Sequence, residues 1–179
     1  MKTRLRVLLL CSFAGVLGCD SKKDSSKSQV KDCSDRFDKI QVLEQGLFSP
    51  DGNLNPDENV RGQLMAEYAT FSNFCNDDTR TPEMLFRRAD LLRSAGRFQE
   101  AMTQLRDIHD HFPEYEKRPI CAFLVGFIAE VELNDREQAK KTYEQVIALH
   151  DSTDASQWAR QSLINLEVSR REVSLQKAE

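Results

Sequence analysis

The chain predicts an all-α protein: stacked antiparallel helix hairpins forming an α-solenoid, closed by a C-terminal capping helix. Three observations predict it. The first is spacing. Leu64, Ala101 and Ala139 lie 37 and 38 residues apart, and so do Tyr68, Leu105 and Tyr143, and Phe71, Ile108 and Val146. Columns that share one period read as copies of one helix, and copies stack because a lone helix pair cannot bury its apolar faces. The second is the order of signals inside 81–113. Leu85, Phe86, Ala89 and Leu92 are followed by Gly96-Arg97-Phe98-Gln99-Glu100-Ala101, then Leu105, Ile108 and Pro113. That order reads as helix, tight turn, helix, stop. The third is a second copy of it: an apolar helix over 123–131, the turn Leu133-Asn134-Asp135, then Glu137, Ala139, Tyr143 and Val146.

Length and charge bound the rest. A chain of 179 residues suits one domain with short extras. The longest apolar stretch, 120–131, falls short of the roughly 20 residues of a membrane span and reads as a central buried helix. Taking Lys2, Arg4 and Arg6 from the 25 basic residues leaves 22 against 29 acidic ones, a net −7. Such a balance argues against nucleic acid as a partner and suits a basic or polar peptide.

Element by element, 1–18 reads as a secretory signal. Lys2, Arg4 and Arg6 form its positive region, and 7–17 is apolar but too short to span. It ends in Val16-Leu17-Gly18-Cys19, which resembles the bacterial lipobox. The resemblance implies cleavage before Cys19 and a lipid anchor, with diacylglycerol carried on its thiol and palmitate among the acyl chains. Several acyl chains at roughly 0.8 kcal/mol per buried CH₂ hold stably where one does not. Residues 19–32 are Ser, Lys and Asp with little to bury and read as a flexible tether, reaching roughly 20 Å as a coil. Residues 33–78 read as an N-terminal helix hairpin, a degenerate repeat. Its first helix, 34–45, carries Phe37, Ile40 and Leu43 and stops at Gly46. Its second follows a Pro- and Gly-rich loop, is capped by Asn55-Pro56 with Glu58, and carries Val60, Leu64, Tyr68, Phe71 and Cys75.

Residues 79–172 hold two repeats and the capping helix. Thr81-Pro82-Glu83 predicts a cap for the first helix of the clear repeat, and Phe98, Ala101, Leu105, Ile108 and Phe112 the inward face of its partner. Pro113 and Pro119 bracket a loop before helices at about 120–133 and 135–150. Asp154 or Ser152 caps the last helix, with Ala155, Trp158, Ala159, Leu163 and Leu166 inward and a polar outer face of Arg160, Gln161, Asn165 and Glu167. Residues 173–179 read as a frayed tail.

The tract Gly96–Ala101 with Pro113 twelve residues beyond resembles the second helix of a tetratricopeptide repeat (TPR). The resemblance covers two repeats and, weakly, a third. Arg88 and Ala89 stand where the family prefers Leu and Gly, and Asn134 and Arg136 replace the turn Gly and the aromatic after it. With the signal and lipobox, the chain is similar to cell-envelope TPR lipoproteins, such as that of the outer-membrane β-barrel assembly machinery. In TPR domains the first helix of each pair lines a concave face that holds an extended peptide or partner helix. Carried over by position, the resemblance implies Phe86, Asp90 and Arg93 in the clear repeat. With Gly126 at the family Gly position it adds Phe127 and Glu130. The alternative for each is an ordinary solvated or packing residue.

Chemical signals are weak by comparison. Asp51-Gly52-Asn53-Leu54-Asn55-Pro56-Asp57 opens like a calcium loop, but Pro56 and Gly62 stand where an EF-hand wants Gly and Glu. His109 and His111 sit two apart, so on a helix they point away from each other and do not converge on a metal. No GxSxG, P-loop or Cys–His signature marks a catalytic site. Neither an enzyme, a metal nor a cofactor is expected. Cys121 lies in the most apolar helix and reads as a buried free thiol. Cys33 opens one helix and Cys75 closes the next, so in an antiparallel hairpin the two ends meet. An exported protein sits where disulfides persist; a Cys33–Cys75 bridge and two separate small core residues both fit.

These readings combine into a non-enzymatic, lipid-anchored adaptor of the bacterial cell envelope that binds a peptide or protein. It would lie on the periplasmic side of the inner or outer membrane if the envelope is Gram-negative. The alternatives are an outer-membrane biogenesis component and a ligand-binding or enzyme-accessory lipoprotein.

Overall fold

The computed structural model describes residues 21–47 and 58–176, and the side chains of 32–47 and 58–169. Seven helices and no strand occur among them: α1 (Ser21–Gln45), α2 (Glu58–Phe74), α3 (Thr81–Ser94), α4 (Phe98–His111), α5 (Arg118–Val131), α6 (Arg136–Leu149) and α7 (Asp154–Gln176). Each packs on the next in order, α5 also touches α7, and the result is the stacked hairpin architecture. The signal, Cys19, the 48–57 loop with its Asn55-Pro56 cap and calcium-like tract, and the last three residues lie outside the described residues.

The periodic columns are the core. Leu64, Ala101, Ala139, Tyr68, Leu105, Tyr143, Phe71, Ile108 and Val146 are all at most 2% exposed. Two apolar clusters form, one joining α1, α2 and α3 and one running from α3 to α7. Helix α3 belongs to both: Met84 and Leu91 face the first, Ala89 and Leu92 the second. Ala101 and Ala139 have no accessible surface, as close helix crossings require.

Turn chemistry explains the spacing. Gly96 takes φ +73 between α3 and α4, where a side chain would be strained, and Arg97 N–H reaches back to the Leu92 carbonyl. Asn134, φ 52, does the same work between α5 and α6, with Leu133 N–H on the Ile128 carbonyl. Asparagine tolerates this left-handed conformation better than other non-glycine residues, so the repeat survives loss of its turn glycine. Cys33 and Cys75 are bonded, with α-carbons 5.9 Å apart, clamping the start of the packed part of α1 to the end of α2. Cys121 is free and buried.

Several boundaries differ from expectation. Helix α1 begins at Ser21, so most of the expected tether is helical. The packed turns with Cys33, Phe37 and Ile40 supply the nucleus, and adding Ser, Lys and Asp residues to an existing helix costs only a few tenths of a kcal/mol each. Thr81 is not the cap of α3 but its first residue, and its hydroxyl donates to the buried Cys75 carbonyl. Arg80 precedes it without a capping side chain, and its own N–H is held in the turn before the helix by Asp78 at 2.9 Å. Pro119 sits in the first turn of α5, where its missing N–H does no harm. Neither Ser152 nor Asp154 caps α7; the Thr153 hydroxyl accepts the Ser156 N–H at 3.2 Å. Nor is the outer face of α7 wholly polar, because Ile164 and Val168 are 55% and 49% exposed. Helix α7 runs to Gln176, past the expected fraying point.

Candidate partner-binding face

The first helices of successive pairs are fastened side by side. Near the start of α3, Glu83 accepts the Lys117 ammonium at 2.7 Å and the Tyr115 hydroxyl at 2.5 Å. Near its end, the Arg93 guanidinium donates to Glu132 at 3.4 Å. Arg87 bridges in the other direction, donating to Glu83 at 3.1 Å and to Glu44 of α1 at 2.6 Å, and Glu44 also accepts the Tyr68 hydroxyl. A continuous polar strap thus runs from α2 through α1 and α3 to Tyr115 and Lys117, just before α5. Burial works against charge on Glu83, but the bonds from Lys117, Tyr115 and Arg87 outweigh it and hold its carboxyl below the usual range. Burial and the same carboxylate push the Tyr115 phenol well above its ordinary value.

Five residues were expected on this face. All five lie on α3 and α5, but they differ in what they offer. Asp90 is exposed and only meets Arg93 at 3.3 Å. Arg93 is shared between Asp90 and Glu132. Phe86 is half-buried, edge-on to Tyr115 with ring centroids 6.4 Å apart, and Lys117 lies 5.1 Å over its ring. Glu130 is half-buried and accepts the Tyr143 hydroxyl at 2.8 Å, a bond that, after burial, raises that phenol. Phe127 is half-buried beside Phe123, with centroids 6.2 Å apart. Glu130 and Phe86 therefore hold the wall together, while Asp90 and Phe127 face outward more freely.

Residues not singled out for this face complete it. Phe123 stacks on Tyr143 at 5.6 Å and meets Trp158 edge-on at 5.6 Å, linking α5 to α7. Trp158, expected inward, is 45% exposed, because α7 has no following helix to cover it. A helical step of four from Phe127 points to Phe123. Nothing in the sequence marks Trp158 as accessible.

Residues 83–115 and 123–153 match the tetratricopeptide repeat model. Both are TPRs. The first stretch contains most of α3 and all of α4, the second most of α5 and all of α6, so each TPR is one observed hairpin. The α1–α2 hairpin and α7 lie outside the match, although Leu64, Tyr68 and Phe71 of α2 continue the TPR columns. No curated protein matches the chain.

Elsewhere, an open cleft of about 600 Å³ lies where the starts of α3 and α5 meet, lined in part by Asp77, Asp78, Pro82, Glu83, Phe112 and Tyr115. His111 turns to the Asp107 carbonyl and His109 to His150, so the two histidines diverge as expected. His150 as partner of His109, 41 residues away, had no sequence signal. No three His, Cys, Asp or Glu side chains suited to a metal converge among the described residues, and no helix there is long and apolar enough to cross a membrane. Burial pushes the Cys121 thiol up to about 12, so it stays neutral.

Proposed function

We propose that this chain is a non-enzymatic, lipid-anchored adaptor of the bacterial cell envelope, using the first-helix face of its TPRs to hold a peptide or protein. TPR hairpins are interaction scaffolds. The observation that carries the reading is the aromatic run Phe127, Phe123 and Trp158, partly open and set on stacked first helices. Aromatic side chains with one accessible face are characteristic anchors at interfaces. The lipobox-like Leu17-Gly18-Cys19 supports the anchor, and the Cys33–Cys75 bridge suits an oxidising compartment outside the cytoplasm. The net negative charge suits a basic or polar partner.

Site-specific photocrosslinking in cells tests the face. A photoreactive residue at Asp90 or Trp158 is expected to capture one protein that the same residue at Thr103, exposed on α4, does not. Equal capture from all three positions rejects the face. The captured protein's identity decides whether the narrower reading, outer-membrane biogenesis, holds. The cleft of about 600 Å³ favours a second reading as a ligand-binding or accessory lipoprotein; native mass spectrometry showing a retained small molecule would select it.

A further inference from the structure

The imidazoles of His109 and His150 meet across two repeats, with their Nε2 atoms 2.9 Å apart and ring planes at 89°. His109 belongs to the last turn of α4. His150 ends α6, and its carbonyl accepts the N–H and hydroxyl of Thr153, the residue that caps α7. His150 is 7% exposed, so its ring is out of water. One residue therefore links α4, α6 and α7.

The contact is a hydrogen bond only while one ring supplies a lone pair. Asp110 Oδ1 lies 2.8 Å from His109 Nδ1, which places a proton there and leaves His109 Nε2 to accept from His150. One added proton is accommodated: with His109 charged beside Asp110 and donating from Nε2, the neutral His150 carries its own hydrogen on Nδ1, so a single hydrogen still lies between the rings. A second is not: both Nε2 atoms would then carry hydrogens at 2.9 Å. The surroundings add positive charge. From α5, Arg118 Nε donates to the His109 carbonyl at 2.7 Å. From α4, Arg106 and Asp110 border the adjacent cavity of about 280 Å³. Beyond His150, Asp151 is engaged by Arg160 of α7 at 2.8 Å. Among the described residues no carboxylate is bonded to the His150 ring.

We propose that the His109–His150 contact is an acid-sensitive latch: it holds the end of α6 against α4, and with it the corner on which α7 is seated, when the rings are not both charged, and loosens that corner when both are protonated. Because the His150 carbonyl holds Thr153, the cap of α7, loosening passes to α7 and to Trp158 at the aromatic end of the first-helix face. Burial, then His109, then Arg118 lower the pH at which His150 takes up its proton in the fold. The sign follows. With the folded value below about 6.5, the unfolded chain binds the proton first. The latch's contribution is complete above about pH 6.5 and is lost as pH falls through the folded value.

Imidazole proton shifts of the full chain, followed by NMR from pH 8 to 4.5, test the latch without a variant. The expected result is a His150 midpoint below that of histidine in the acid-unfolded chain, accompanied by a shift in Trp158 fluorescence with the same midpoint. A His150 midpoint at or above the unfolded value, or unchanged Trp158 emission through it, overturns the proposal. A second arm uses His150→Gln, which keeps an amide donor toward His109. Its melting temperature should lose less than the wild type's between pH 7.5 and 5; parallel losses overturn the proposal.

Discussion

At the scale of single residues, Gly126 shows how closely the helices meet. A methyl group there would lie 2.7 and 2.9 Å from ring carbons of Tyr143. The ring cannot swing aside freely, because Phe123 stacks on it and Glu130 holds its hydroxyl. Alanine is the better helix former, by about 1 kcal/mol, but overpacking costs more. Gly126→Ala is expected to destabilise the fold by about 1–3 kcal/mol, read as a lower urea midpoint with unchanged slope. An unchanged midpoint would mean that α5 and α6 cross less tightly. The column residues were legible because burial imposes a period on one chain. The wall contacts were not, since Glu83 with Lys117 and His109 with His150 join residues 34 and 41 apart without any repeating pattern. Such pairs are fixed by how hairpins stack, which no local signal encodes. For the same reason position alone placed Glu130 on α5 yet could not say that Tyr143 occupies it.

At the scale of elements, helices and turns were legible and their first turns less so. Apolar spacing and Gly96 or Asn134 mark where a helix must run and stop. Caps depend on which of several neighbouring oxygens reaches an N–H, and Thr81 and Thr153 each differ from expectation in that choice. Helix α1 depends most on one bond. Its packed turns contribute Cys33, Phe37, Ile40 and Leu43 to the smaller core cluster. A crosslink over a separation of 42 residues stabilises by roughly 4 kcal/mol in the chain-entropy model. Reducing Cys33–Cys75 is therefore expected to raise hydrogen exchange in α1 and α2 while leaving α5 and α6 protected. Uniform loss of protection would mean that the hairpin and the TPRs unfold as one unit.

For the whole molecule, stacking and the proposed anchoring have different physical origins. The helical stack follows from periodic burial. The proposed attachment to a membrane rests on Cys19 of the lipobox-like Leu17-Gly18-Cys19. Cys19→Ala is expected to move the protein from the detergent phase to the aqueous phase in a phase split. Retention of both forms in detergent rejects the lipid anchor. The helical extension from Ser21 also changes the geometry of such an anchor. Ten residues of helix rise only about 15 Å but hold direction, so the repeats would stand off at a set angle rather than drift on a coil.

The burial of Cys121 bears on the order in which the molecule matures. Three thiols among the described residues allow three pairings, and only one is native. An extended chain offers all of them to an oxidant. Once α5 has packed, Cys121 has no accessible surface and a thiol held neutral, so it can neither be attacked nor attack. Packing of α5 thereby leaves Cys33 and Cys75 as the thiols open to oxidation among the described residues. Assembly that proceeds from α3–α6 outward yields the correct isomer without a reshuffling step, whereas oxidation ahead of packing calls for an isomerase.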